Sequence, residues 1–337
     1  MSLRISRMAR LGLLTAALVA AGSAMAQTAI CYNCPTEWAD WGTQLKAIKA
    51  KTGITVPADN KNSGQSLAQL VAEKASPVAD VTYLGVTFAV QAQKDGVVEP
   101  YKPAAWKDIP DGLKDPAGHW FTIHSGTLGF MVNVDALKGK PVPKSWADLL
   151  KPEYKGDIQV ANPASSGTAY TMIATLVQLM GEDKAFDYLK ALHRNVGQYT
   201  RSGTGPIKAV ARGETAVSIS FVHDGPGEKM QGFPVETITP SDGTGAEIGS
   251  MSIVKGARNL DAAKKFYEWA LTPAAQELGA ANKQFQLPSN VNAKLDPRIP
   301  DFKKIKFINY DYAKYGASAE RRRLIARWEK DVNSLPR

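Results

Sequence analysis

From residue 28 onward the chain switches repeatedly between two hydrophobic rhythms. Short apolar, β-branched runs read as strands, and longer stretches with an apolar residue every three or four positions read as amphipathic helices. Residues 28–32 predict a first strand. Residues 36–52 predict a helix, with Trp38, Trp41, Leu45 and Ile48 on one stripe and Gly53 as its stop. Residues 54–57 predict a second strand. Asn62-Ser63-Gly64 is a helix-start signal ahead of a helix over 65–75, and 79–84 is a strand ending at Gly85 before a helix over 88–95. The run 121–133, with Gly126 and Gly129 inside it, predicts one long strand that crosses between two parts of the molecule. Then come a short capped helix at 145–150, a strand at 158–161, and a helix that runs to Met180 and stops at Gly181. Helices at 186–193 and 205–212 and strands at 216–221 and 247–254 follow, and the end from Leu260 is mostly helical. This alternation implies an α/β layered fold.

The first 26 residues follow another pattern. Arg4, Arg7 and Arg10 precede an apolar stretch from Leu11 to Ala21, and Ala24-Met25-Ala26 supplies a small-x-small cleavage site. The expectation is a signal peptide cleaved after Ala26, export to the periplasm, and a mature chain that starts at Gln27. The apolar stretch is shorter than the roughly 20 residues that a membrane helix needs. The rest of the chain is long enough for two lobes. The net charge is +9, and about +6 remains without the three leader arginines. That is too diffuse to argue for nucleic acid, and the one basic cluster, Arg321-Arg322-Arg323, reads as a solvated helix face. Cys31 and Cys34 are the only cysteines, and in an exported chain they predict a short-loop disulfide. A redox pair and a zinc site are the alternatives; zinc lacks further soft ligands, since the histidines are scattered.

Three helix starts share one composition: Ser63-Gly64, Ser165-Ser166-Gly167-Thr168, and Ser202-Gly203-Thr204-Gly205. Free backbone N–H groups, hydroxyl donors and glycine make such starts suited to an oxyanion, although each alone also reads as plain capping. A second group is His223-Asp224, after the strand ending at Phe221, with Glu247 ahead of another strand. Carboxylates and an imidazole can hold the hydroxyls of a polar ligand, or they can serve as turn and surface residues. No Walker sequence, Gly-x-Ser-x-Gly elbow or His-Glu-x-x-His is present, so nothing points to an enzyme.

Several segments resemble the iron(III)-type ABC transporter solute-binding proteins. They include residues 126–133 (Gly-Thr-Leu-Gly-Phe-Met-Val-Asn), 144–150 with Tyr154-Lys155-Gly156, and 161–168 (Ala-Asn-Pro-Ala-Ser-Ser-Gly-Thr). Val210-Ala211-Arg212-Gly213-Glu214 and Gly256-Ala257-Arg258-Asn259 continue the match in order. The resemblance implies a two-lobed type II periplasmic binding protein fold with β-strand hinge crossovers. Lobe I is expected over 27–121 plus 245–283, and lobe II over 122–244 plus 284–337. A permease and an ATPase are the implied partners, and the binding protein itself is expected to be a monomer.

Ferric members place adjacent tyrosines where this chain has Phe221-Val222-His223-Asp224, and no Tyr-Tyr pair occurs anywhere. Iron is therefore disfavoured, no metal or cofactor is expected, and Tyr310 and Tyr312 are assigned to C-terminal packing. His223, Asp224 and Glu247 are similar to a branch that binds hexose phosphates, where they hold sugar hydroxyls while Ser63, Ser165, Ser166, Gly167 and Thr168 hold phosphate. Asn33, Gly64, Thr87 and Thr204 complete the expected ligand set. A branch that binds 2-aminoethylphosphonate is the nearest alternative, with ferric iron behind it. A periplasmic phosphate-ester hydrolase acting through His223 and Asp224 is the rival from another class.

Overall fold

A computed structural model describes residues 27–34 and 41–337. The expected signal peptide and the start of the helix predicted over 36–52 lie outside the described residues. In chain order the elements are β1 (Cys31–Tyr32), α1 (Trp41–Thr52), α2 (Ser63–Ala72), β2 (Val81–Gly85), α3 (Val86–Lys94), β3 (Val98–Glu99) and β4 (Phe121–Asn133). Next come β5 (Ile158–Ala161), α4 (Gly167–Met180), α5 (Glu182–His193), β6 (Val196–Thr200), α6 (Gly205–Ala211), β7 (Val217–Phe221) and α7 (Gly225–Lys229). The chain ends with β8 (Val235–Ile238), β9 (Ala246–Val254), α8 (Leu260–Ala270), α9 (Pro273–Ala281), β10 (Leu287–Pro288), α10 (Tyr312–Tyr315) and α11 (Ser318–Trp328).

The described strands join in the order β1-β2-β9-β4-β7-β5-β6. The long strand expected over 121–133 forms with those bounds and belongs to both halves of the sheet. Its first part, Phe121 to Thr127, pairs antiparallel with β9, and Leu128 to Val132 pairs with β7. β9 in turn pairs with β2. Two antiparallel strands thus carry the chain between the halves, and a bulge between Thr122 and His124 re-aims the residues that follow it.

Each half has its own core, giving a two-lobed α/β fold. One cluster packs Trp41, Ile48, Val81, Tyr83, Phe121, Met251, Phe266 and Tyr267. The other packs Phe130, Trp146, Ile173, Phe186, Ile219, Leu324 and Trp328, so α11 closes the second core. Residues 54–57 are not a strand: Thr55 makes a single bridge to Thr28, and β1 is confined to Cys31–Tyr32. The exposed polar stretch that follows offers no neighbouring strand to extend the ladder. β6 escapes the apolar pattern because Gly197 and Gln198 interrupt it and are exposed. The basic cluster on α11 is not uniformly solvated. Arg323 pairs with Glu182 and Glu320, whereas Arg321 is half-buried with its guanidinium 4.1 Å above the Phe88 ring.

Candidate functional site

The carboxyl ends of β2, β5 and β7, the starts of α2, α3 and α4, and the crossing strands β4 and β9 converge on one cleft. Its floor is two pairs of cross-strand neighbours, His124 opposite Gly249 and Gly126 opposite Glu247. The two glycines leave space that other residues fill. A Cβ on Gly126 would lie 2.3 Å from the His223 ring, and one on Gly249 would lie 1.8 Å from the Tyr83 hydroxyl. Glycine inside a strand marks such close approach. Tyr83 therefore enters from β2 and His223 from the end of β7.

Glu247 stands where the two lobes meet. Its Oε1 would be 2.5 Å from a Cβ on Gly85, which precedes α3, and 3.5 Å from one on Gly167, which opens α4. Burial pushes its carboxyl up to about 7. Asp224 is also raised to about 7, by burial and then by the negative charge of Glu228, with Lys208 opposing. His223 is buried and stacks on Phe221 at 5.4 Å, and its Nε2 lies 3.7 Å from Asp224 Oδ1. Burial lowers His223 to about 3 and keeps it neutral. Neither of its ring nitrogens has a hydrogen-bond partner among the described residues.

The helix starts fall into place unequally. In α2 the cap is Asn62, which forms a capping box with Gln65, and the hydroxyl of Ser63 is left to accept from the Gly85 N–H at 3.1 Å. Asn33 adopts φ 66° in the loop closed by the Cys31–Cys34 disulfide. Its amide donates to Tyr83 O (2.6 Å) and to Ser63 Oγ (3.4 Å), which ties β1 to the α2 start. In α4, Ser166 caps Ala169, and Ser166 and Thr168 face Gly203, whose Cβ would meet Thr168 Oγ1 at 2.5 Å. Thr204 shares a hydrogen bond with Ser202 and lines a cavity of about 290 Å3 with Lys208, Asp224, Glu228 and Lys283.

The structure thus gathers Asn33, Ser63, Ser166, Gly167, Thr168, His223, Asp224 and Glu247 around the cleft. Four expected residues lie elsewhere: Thr204 lines the separate cavity of about 290 Å3, and three more turn away. Ser165 is exposed and donates to Arg201 O at 2.8 Å; Gly64 faces Asn62, Phe88 and Arg321; Thr87 packs against Gly316. Sequence reasoning missed His124, Tyr83 and Gln286, which line a second, separate cavity of about 10 Å3 with His223 and Glu247. The available signal was Gly126, two residues after His124 on one face of a strand. Tyr310 and Tyr312, assigned to packing, do pack on each other at 4.5 Å, but both also lie near enough to Glu247 for its charge to raise them further, burial being the larger cause. Among the described residues, no group of three or more His, Cys, Asp or Glu side chains could hold a metal ion.

The sequence profile of a family described as bacterial extracellular solute-binding protein matches residues 76–315. A Haemophilus influenzae protein of uncharacterised function is 43% identical over 339 residues, covering 98% of each chain. Among solved structures, the periplasmic binding protein AfuA from Actinobacillus pleuropneumoniae, with exogenous fructose-6-phosphate bound, superposes with a TM-score of 0.86 at 42% identity. That match covers 91% of this chain and 99% of AfuA. The periplasmic binding protein P5PA superposes with a TM-score of 0.84 at 35% identity, over 91% of this chain and 99% of its own.

Proposed function

The chain belongs to the bacterial extracellular solute-binding protein family, and we propose that, as the periplasmic component of an ABC importer, it captures a phosphorylated sugar by lobe closure. The observation that carries this reading is Glu247 on a crossing strand, lodged between Gly85 and Gly167 with His223 on the facing side. Donor-rich helix starts then flank Glu247, and His223 lines the same floor. The α4 start offers Ser166, Gly167 and Thr168 to a phosphate, with the dipole of a 14-residue helix behind them. Asp224, His223 and Glu247 receive the sugar hydroxyls. A carboxyl that titrates near 7 serves this purpose, because it accepts from a hydroxyl when ionised and donates when protonated.

AfuA, at 42% identity with fructose-6-phosphate bound, supports this choice of ligand class. An organophosphonate with an ammonium group is the second reading, favoured by the two recessed carboxylates. Closure itself needs no chemistry: ligand bridges the lobes, and the closed form is what the permease and ATPase receive. The lobes in this account are 27–121 plus 245–283 and 122–244 plus 284–337, with the changeover along β4 and β9. The chain acts as a monomer after cleavage behind Ala26, and it makes and breaks no bond in its ligand.

A thermal-shift panel of glucose 6-phosphate, 2-aminoethylphosphonate, inorganic phosphate and Fe³⁺ tests the reading. A ligand that binds only the folded state stabilises it with concentration, by about 2.7 kcal/mol at 100 times Kd, and so raises the melting temperature. The hexose phosphate should give the largest shift without releasing phosphate. A shift with Fe³⁺ alone would overturn the proposal, and phosphate release would make the protein a hydrolase.

A further inference from the structure

His124 lies at the middle of β4, on the floor of the cleft, and is 3% exposed. Both of its ring nitrogens lack a hydrogen-bond partner among the described residues, as do those of His223 and the amide nitrogen of Gln286. All three side chains line one cavity together with Tyr83 and Glu247. Folded proteins pair the great majority of their buried polar groups, and an orphan costs stability. Three orphans around one cavity are therefore held there against stability, which is the pattern expected of a site whose partners arrive with a ligand.

The chemistry narrows the ligand group. Burial, and then the neighbouring His223, lower the His124 imidazole to about 3, so it is neutral in the folded protein. A neutral imidazole presents one N–H donor and one acceptor, which matches a hydroxyl and gives little attraction to a phosphate dianion. Across the ladder it faces Gly249 on β9, whose missing side chain leaves space that the Tyr83 hydroxyl enters, and Pro288 on β10, which can neither donate to nor accept from the ring through its side chain. Resting on the sugar-phosphate reading above, we propose that His124 is a further specificity residue: it contacts a hydroxyl of the captured molecule from the crossing strand and selects a hydroxylated phosphate ester over inorganic phosphate.

The test uses the full mature chain, with His124→Leu and His124→Gln, titrated with glucose 6-phosphate and with inorganic phosphate at neutral pH. His124→Leu should match or exceed the wild-type melting temperature without ligand, because it removes two unpaired buried nitrogens. Its affinity for glucose 6-phosphate should fall at least about ten-fold while any binding of inorganic phosphate stays within about two-fold. His124→Gln, which keeps a donor and an acceptor, should recover part of the loss. Unchanged glucose 6-phosphate affinity in His124→Leu overturns the proposal. Should that variant fail to fold, ¹⁵N spectra of the imidazoles in the wild-type chain decide. Glucose 6-phosphate should shift the His124 resonances and inorganic phosphate should not; no shift ends the proposal. If the wild type binds no glucose 6-phosphate, the ligand reading fails on its own. The same spectra titrated with fructose 6-phosphate then decide His124, a shift supporting hydroxyl contact and no shift ruling it out.

Discussion

Glu247 and Asp224 hold their protons more tightly in the folded chain than in an unfolded one, because burial disfavours the charged form. Each therefore contributes stability that is fully present below the ordinary carboxylate range and is lost as pH rises through about 7. His124 and His223 act in the opposite sense. Kept neutral down to about 3, they contribute stability above the ordinary histidine value that is lost as pH falls. Between about pH 4.5 and 6.5 these two pairs should cancel each other, leaving the wild-type profile to other groups such as His193, which burial also lowers. Glu247→Gln removes one carboxylate from the balance, so its stability should rise with pH across that window by about 1.4 kcal/mol per pH unit relative to wild type. Urea melts of both proteins at pH 4.5, 5.5 and 6.5 check this, and parallel profiles would show that Glu247 is not held away from water. At this scale the sequence disclosed His223, Asp224 and Glu247 as types in order along the chain. It could not disclose that Glu247 faces two helix starts, since that depends on how β9 pairs with β2 and β4.

Elements were more legible than residues. β4 and β5 occupy the ranges their apolar runs predict, because continuous β-branched and apolar sequence buried on both faces has few other solutions. The α2 and α4 starts were visible as Asn62 and Ser166 caps ahead of periodic helices. What stayed hidden was the use of glycine within β4. Alanine in place of a strand glycine is ordinarily neutral or favourable. Gly126→Ala should instead destabilise the protein by about 1–3 kcal/mol, because its Cβ would enter the His223 ring and force it aside. Glucose 6-phosphate affinity should fall with it, at least about ten-fold, since the displaced imidazole no longer meets the ligand. Chemical denaturation and calorimetry of the variant check both halves. A stable variant with wild-type affinity would show that His223 has room to move.

Across the whole molecule, the C-terminal segment ties the lobes together. Leu324 and Trp328 of α11 belong to the core built around β5 and β7. The same segment reaches the other lobe through Ser318 N–H to Gln91 Oε1 (3.1 Å), Gly316 against Thr87, and Arg321 over Phe88. Nothing in the sequence of α11 announces this, because an Arg-rich polar helix reads as solvated until its neighbour is known. On the closure account, Arg321→Ala should remove about 0.5–1 kcal/mol of lobe-bridging cation–π contact from the ligand-bound form. Ligand affinity should then weaken about two- to five-fold with little change in the ligand-free melt. Calorimetry and melting of that variant distinguish a closure contact from a folding contact, which would lower the melt and leave affinity alone.

The claim that joins these scales is that both lobes grip one organic phosphate across the cleft. Isothermal titration of the mature wild-type chain with glucose 6-phosphate, beside inorganic phosphate at the same concentrations, tests it most directly. The account predicts one site per chain, with a Kd in the micromolar range or tighter, or about −8 kcal/mol and beyond, and at least about ten-fold weaker binding of inorganic phosphate. Equal affinity for the two, or no heat with the sugar phosphate, would contradict it.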